Sequence, residues 1–118
     1  MRPFLRLAAV LYLSLAPLSA FAQDCPDEST QGMVECLDRQ TRSWDRKLND
    51  AYQTAMAAQR GDQRERLRAA QRLWIQYRDA NCGFYARGEG TISRIEAAQC
   101  MLKMTESRAR ELDEGQQP

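Results

Sequence analysis

Apolar residues recur along this chain at intervals of three, four and seven positions, which is the spacing of an amphipathic α-helix. The first stripe of this kind consists of Met33, Leu37, Trp44, Leu48, Ala51 and Ala55. It predicts a helix from about Thr30 to Gln59, which Gly61 brings to an end. Asp62, with Glu65 three residues later, is the capping arrangement expected for a second helix.

Two further stripes predict two further helices. The second stripe consists of Leu67, Ala70, Trp74, Tyr77 and Asn81. The third consists of Ile95, Ala98, Leu102, Thr105, Ala109 and Leu112. The second helix is expected to end near Cys82 or Gly83, and Ser93 with Glu96 matches a capping box that would open the third. The segment Phe84–Arg94, which contains two glycines, is the predicted loop between them.

The pattern contains no alternation of apolar and polar residues at the period of a β-strand. Short connections between helices favour antiparallel neighbours. The sequence therefore predicts an all-α fold, a small antiparallel three-helix bundle stapled by disulfides. Folding the first helix back on the second would bring Asp45 level with Arg78, as a partly buried ion pair, and Trp44 near Tyr77. The predicted core contains Trp44, Asp45, Leu48, Gln71, Trp74, Tyr77 and Arg78.

The first 22 residues form a pattern separate from the helical stripes. Arg2 and Arg6 precede a short apolar run, and Ala20 and Ala22 supply the small residues of a cleavage site, as in a secretory signal peptide. The apolar run of about ten residues is too short to span a membrane, which takes about 20. We therefore expect a signal peptide over residues 1–22 and one helical domain over residues 23–118, periplasmic or secreted. Because Gln23 rather than a cysteine follows the cleavage site, we expect no lipid anchor.

All four cysteines lie after the predicted cleavage site, at Cys25, Cys36, Cys82 and Cys100. An even number of cysteines in a short exported chain predicts a disulfide framework. Pairing Cys25 with Cys36 and Cys82 with Cys100 would clip the N-terminal lead onto the first helix and join the second helix to the third. The alternative pairs Cys36 with Cys82 and Cys25 with Cys100, because all four could lie at one end of the bundle. We favour the local pairing.

The composition excludes several classes of function. Without Arg2 and Arg6 the 17 basic residues fall to 15, against 16 acidic ones, and this balance argues against nucleic acid or an anionic membrane as a partner. The chain contains no histidine, and its cysteines are expected to form disulfides, so we expect neither a free thiol nor a metal-ligand cluster. The sequence therefore predicts a protein that is not an enzyme and that has no catalytic residues, metal or cofactor.

Two segments are candidates for binding a partner. The predicted loop carries aromatic and charged residues on a segment that a disulfide would hold: Phe84, Tyr85, Arg87, Glu89, Thr91 and Arg94. Preorganisation of this kind lowers the entropic cost of association, so the loop is the candidate binding site. The second helix begins instead with a basic run: Arg60, Arg64, Arg66, Arg68 and Arg72. A solvated helix face with intrahelical ion pairs is the simpler interpretation of that run.

Four strings in the sequence together resemble a known family. They are TQGMVEC, LNDAYQ, LRAAQRLWIQYRDANC and AAQCMLKMTESRARELDE. From Cys25 to about Leu112 the chain resembles the lysozyme inhibitor LprI-like N-terminal domain. The most specific parts of the resemblance are the string Q-x-x-W-x-x-Y-R-D-x-x-C and the four cysteines in order. The resemblance implies a small, helical, exported and disulfide-bonded domain in a family named for inhibiting lysozyme.

An inhibitor of lysozyme has to block a cleft in which a Glu and an Asp are the catalytic groups. We expect the Phe84–Arg94 loop to enter that cleft, with Arg87 or Arg94 meeting the carboxylates and Tyr85 covering an apolar wall. The alternative function is that of a periplasmic module without lysozyme activity, which binds an envelope protein or a small ligand through the arginine-rich start of the second helix.

Overall fold

The computed structural model describes residues 25–115, and three helices make up most of this range. They are α1 (Thr30–Ala58), α2 (Gly61–Ala86) and α3 (Ile92–Glu114). The described range contains no strand, so the prediction of an all-α protein with three helices is confirmed. The predicted signal peptide, residues 1–22, lies outside the described residues.

The two disulfides follow the favoured local pairing. Cys25 is bonded to Cys36 and Cys82 to Cys100, with Cα–Cα distances of 5.7 and 5.4 Å. The first bridge holds the N-terminal lead against α1. The second joins the last turns of α2 to α3. The prediction of a helical protein stapled by two disulfides is therefore confirmed.

The N-terminus of α1 is capped by local side chains. Ser29 is the N-cap, and its hydroxyl accepts a hydrogen bond from the backbone N–H of Gly32 at 3.0 Å. The backbone N–H of Ser29 in turn donates to Oδ1 of Asp27 at 2.9 Å. The side-chain and backbone hydrogen bonds from Ser29 lower the pKa of Asp27, because they favour its charged form. The chain therefore enters α1 through a hydrogen-bonded turn beside the first disulfide.

A two-residue link joins α1 to α2. Gly61, the first residue of α2, has a φ of 51°, a left-handed conformation that glycine adopts without strain. The predicted capping by Asp62 and Glu65 is wrong. The N-cap is Arg60, which makes no side-chain capping bond, and the Asp62 carboxylate instead pairs with Arg66 at 2.7 Å.

Both of the other helices pack against α3. α1 and α3 share the most extensive contact, α2 packs on α3, and α1 and α2 barely touch. Along α2 and α3 the contacts run in opposite directions, because Gln71 meets Arg108 while Cys82 meets Cys100. α1 and α3 run in the same direction. Val34 shares a cleft with residues near the start of α3, and Trp44 lies beside Arg110.

The apolar core is formed mainly between α1 and α3. Its buried members are Leu48, Ala55, Ala109 and Leu112. Partly buried side chains pack around them, namely Trp44, Ala51, Tyr52, Leu67 and Trp74. Thr105, at the middle of α3, is completely buried, and its hydroxyl accepts a hydrogen bond from Nη1 of Arg78 at 3.4 Å. The α1–α3 contact is therefore largely apolar, while α2 also brings polar groups inward.

The expected ion pair between Asp45 and Arg78 does not form. Asp45 is half-buried and accepts a hydrogen bond from the side chain of Asn49 at 3.4 Å, within α1. Arg78 pairs with Asp79 at 2.9 Å and reaches Thr105 on α3. The prediction fails because it placed α1 directly against α2, whereas α1 packs along α3.

The predicted core residues differ in their burial. Leu48 and Gln71 are buried, and the half-buried ones are Trp44, Asp45, Trp74 and Arg78. The assignment of Tyr77 to the core is wrong, because 62% of this residue is exposed. The rings of Trp44 and Tyr77 make no aromatic contact in the part of the chain that the structure describes. Trp44 lies between Lys47 and Arg110, with their charged groups 4.1 and 4.8 Å from its ring centroid.

Truncation of Leu48 tests the assignment of the core. We expect Leu48→Ala to lower the free energy of unfolding by about 2–5 kcal/mol, because it leaves a cavity at the α1–α3 contact. Tyr77→Ala serves as the control and should change it by about 0.5 kcal/mol or less. Urea denaturation followed by circular dichroism measures both. Equal losses in the two variants would contradict this assignment.

Candidate interaction surface at the end of the α2–α3 hairpin

A five-residue turn, residues 87–91, joins α2 to α3 and is called the tip here. It is held by backbone hydrogen bonds from Arg87 N–H to Phe84 O and from Gly88 N–H to Tyr85 O, both at 3.2 Å. Gly90 has a φ of 75°, and its carbonyl accepts a hydrogen bond from the hydroxyl of Ser93 at 2.8 Å. The tip is therefore a hydrogen-bonded turn closed at both ends.

The predicted loop is longer than the turn that the structure contains. α2 continues to Ala86, so Phe84 and Tyr85 lie on its last turn rather than in a loop. Ser93 does not cap α3. The helix begins at Ile92, and Ser93 is buried inside its first turn. α2 continues beyond its predicted end because Gly83, which was expected to stop it, is accommodated within the helix.

The six candidate binding residues occupy three positions around the tip. Phe84 and Tyr85 end α2, with their rings edge to face at a centroid distance of 5.4 Å. Arg87, Glu89 and Thr91 lie in the tip itself and are exposed. Arg94 lies on the first turn of α3 and is also exposed. The prediction that these residues form one binding site stays a prediction.

Tyr85 and Arg94 face different clefts. Tyr85 lines a cavity of about 330 Å³ between α2 and α3, together with Asn81, Glu96, Gln99, Cys100, Lys103 and Met104. Arg94 lines an apolar cleft of about 460 Å³ where the end of α2 and the start of α3 approach the start of α1. Asp38 and Asp79 are the acidic residues of that second cleft. The two side chains therefore lie on opposite sides of the hairpin.

The Cys82–Cys100 disulfide lies one turn below the tip. Cys82 is only 3% exposed, and Met104 packs against the bridge with its sulfur 3.8 Å from Sγ of Cys82. Nδ2 of Asn81 is 3.3 Å from the sulfur of Met104 and 3.5 Å from Sγ of Cys100. The bridge is therefore packed into the α2–α3 contact and holds the base of the tip.

An exposed apolar stripe on α2 was not predicted from the sequence. It consists of Leu73, Tyr77, Ala80 and Phe84, spaced four, three and four residues apart, and is called the outer stripe here. Leu73, Tyr77 and Phe84 are 65%, 62% and 74% exposed. α2 thus has apolar side chains on two opposite faces, and only one of these faces is covered by α3.

The position of Cys82 could have identified the outer stripe. A residue bonded to Cys100 faces α3, and side chains at intervals of three and four residues before it share its face of the helix. Steps of four, four and three residues back from Cys82 reach Arg78, Trp74 and Gln71, and all three are at least half-buried. Asp79 and Ile75, which are also at such intervals, are exposed. The apolar pattern alone grouped Tyr77 with Trp74, because three residues also separate these two.

The arginines at the start of α2 are partly engaged in ion pairs. Arg66 pairs with Asp62 at 2.7 Å, and Arg68 pairs with Glu65 at 2.8 Å, all with exposed side chains. These pairs agree with the interpretation of this run as a solvated helix face. Among residues 25–115 no group of His, Cys, Asp or Glu side chains could hold a metal ion. No helix in the same range is long and apolar enough to cross a membrane.

Residues 22–112 match the family model described as lysozyme inhibitor LprI. The chain belongs to the LprI family. It is also similar to an uncharacterized protein of Rhizobium meliloti (strain 1021), with 34% identity over 67% of this chain and 68% of that protein. No solved structure matches the chain. The LprI match includes both disulfides, the tip and the outer stripe.

Removal of the second disulfide tests its role in holding the tip of this LprI-family protein. We expect Cys82→Ser/Cys100→Ser to lower the free energy of unfolding by about 3 kcal/mol, because it reopens a short cross-linked loop. Amide hydrogen exchange should speed up across residues 87–93. In the control, Cys25→Ser/Cys36→Ser, it should speed up near the start of α1 only. Unchanged exchange at residues 87–93 in the first variant would show that the tip does not depend on the bridge.

Proposed function

We propose that this LprI-family protein is an exported inhibitor of lysozyme and that the tip, with Phe84 and Tyr85, blocks the substrate cleft of the enzyme. The match of residues 22–112 to the lysozyme inhibitor LprI family carries the proposal. That family is named for inhibition rather than for catalysis. The exposed aromatic and charged groups at one end of the hairpin supply a surface suited to such a role.

The chemistry of the tip suits an acidic cleft. Lysozymes cleave glycan with two carboxyl groups, and in retaining glycosidases these lie about 5–5.5 Å apart. An arginine guanidinium can bind carboxylate oxygens with two parallel N–H donors. Arg87 stands at the end of α2 on an exposed turn, and its backbone N–H donates to the carbonyl of Phe84. In the proposed complex Arg87 meets the catalytic carboxylates, and the aromatic pair covers the apolar wall of the cleft.

Arg94 has a different place in the proposed complex. It lines the cleft that also contains Asp38 and Asp79, and these two carboxylates reduce the positive potential around it. Arg87 has no such acidic pair on its own turn of the helix, although Glu89 is close in sequence. We therefore assign the principal contact to Arg87 and a weaker, flanking contact to Arg94.

The disulfides support export of the protein. Disulfides persist in oxidising compartments such as the bacterial periplasm and the extracellular space. One bridge holds the N-terminal lead and the other joins α2 to α3, and the described range has no free cysteine. Together with the predicted signal peptide over residues 1–22, the bridges support the proposal that the mature domain is periplasmic or secreted.

The test is inhibition of lysozyme by the oxidised residues 23–118. We expect dose-dependent loss of lysozyme activity, with c-type, g-type and i-type enzymes assayed in parallel. Arg87→Glu should weaken inhibition at least tenfold, because it places a negative charge against the catalytic carboxylates. Arg94→Glu should weaken it less, since Arg94 lies to one side of the tip. Circular dichroism should be unchanged in both variants.

A matched control separates this proposal from the alternative of a periplasmic binding module. Arg64→Ala/Arg66→Ala/Arg68→Ala removes the exposed charge at the start of α2, more than 18 residues before the tip. Inhibition should survive this change. Inhibition that is lost in the triple variant and kept in Arg87→Glu would favour the arginine-rich start of α2 as the binding site. No inhibition by the wild-type protein of any of the three lysozyme types would refute the proposed function.

A further inference from the structure

The tip is small for a complete inhibitory surface. With Phe84 and Tyr85 it offers seven residues, whereas a stable protein–protein interface uses about 20–30 residues and about 800 Å² on each side. An inhibitor that enters a cleft with the tip alone would therefore hold it weakly. The proposed function requires further contact area next to the tip.

The outer stripe lies directly next to the tip. Phe84 belongs to the stripe and also to the aromatic pair at the end of α2, so the two surfaces are continuous. From Leu73 to Phe84 the stripe extends about 17 Å along the helix, at about 1.5 Å per residue. An aromatic side chain contributes about 150–250 Å² when it is buried. Burial of the stripe would therefore supply a large part of the missing area.

The distribution of charge along α2 also suits a binding face. Positions 69, 73, 76, 77, 80 and 84 lie on the side of the helix that faces away from α3, and none of them is charged. Charged residues, namely Asp62, Arg66 and Arg87, occur only at the two ends of this face. Interfaces commonly have a core depleted of charge and rich in aromatic residues, with a polar rim. The outer face of α2 has this arrangement.

We infer that the outer stripe is the second half of the inhibitory surface and that lysozyme is its occupant. This inference rests on the proposed function. In the complex, Arg87 and the tip occupy the cleft while Tyr77 and Leu73 pack on the apolar edge of the enzyme beside it. Tyr77 and Phe84 are the two anchors, because large aromatic residues dominate the binding energy of protein interfaces.

The test compares two faces of the same helix in binding to immobilised lysozyme, measured by biolayer interferometry. Leu73→Ser/Tyr77→Ser removes two of the three large side chains of the outer stripe and leaves Phe84 and the tip intact. Ile75→Ser is the matched control, because Ile75 is 40% exposed and lies about 200° around the helix from Leu73. We expect the double variant to weaken Kd about 100-fold and the control less than threefold. Thermal unfolding checks that all three proteins are folded at the temperature of the assay, since Leu73 and Tyr77 are mostly exposed and Ile75 is 40% exposed.

The possible outcomes separate this inference from the proposed function. Affinity that is unchanged in Leu73→Ser/Tyr77→Ser but lost in Arg87→Glu would overturn the inference and leave tip-only inhibition standing. A wild-type protein that neither binds nor inhibits lysozyme would overturn the proposed function and, with it, this inference. Sedimentation velocity gives a further test. A wild-type dimer that the double variant converts to a monomer, with lysozyme affinity unchanged, would assign the stripe to a second copy of the chain and overturn the inference.

Discussion

The Cys82–Cys100 disulfide fixes how α2 is turned about its own axis. Because Cys82 must face α3, the side chains at intervals of three and four residues before it face the same way. That constraint places Arg78 and Gln71 at the contact with α3 and turns Tyr77 to the outside. The burial of one face of α2 and the exposure of its apolar opposite are thus two results of one covalent bond.

The contact between α2 and α3 is correspondingly polar. Arg78 donates to Thr105, Arg108 donates to the buried side-chain oxygen of Gln71 at 3.0 Å, and Asn81 lies over the sulfur of Met104. Buried polar groups cost stability unless they are hydrogen-bonded, and no buried side-chain N or O atom among residues 25–115 is without a partner. α1 meets α3 through apolar side chains instead. The helix with the polar inner face is therefore also the one whose remaining apolar side chains stay exposed.

Much of this fold could be predicted from the periodicity of the sequence. The three helices follow from residue spacing, with ends correct to within a few residues, and of the two disulfide pairings left open the favoured local one forms. The packing partners could not be predicted in this way, because apolar spacing shows that a helix has a buried face but not which neighbour covers it. Asp45 and Arg78 were expected to meet for this reason and lie apart. Tyr77 was misplaced because α2 carries apolar residues on two faces, and only the cysteine position distinguishes the inner face from the outer one.

The arrangement around α3 also sets an order for folding. α2 and α3 are joined by five residues, and contacts such as that between Cys82 and Cys100 close a loop of 18 positions. The contact between Trp44 and Arg110 closes a loop of 66 positions. Because α1 and α2 barely touch, a contact between these two helices does not shorten that loop beforehand. Short loops cost less entropy to close and form faster. We therefore expect the α2–α3 hairpin to form first and α1 to dock onto the surface that the hairpin presents.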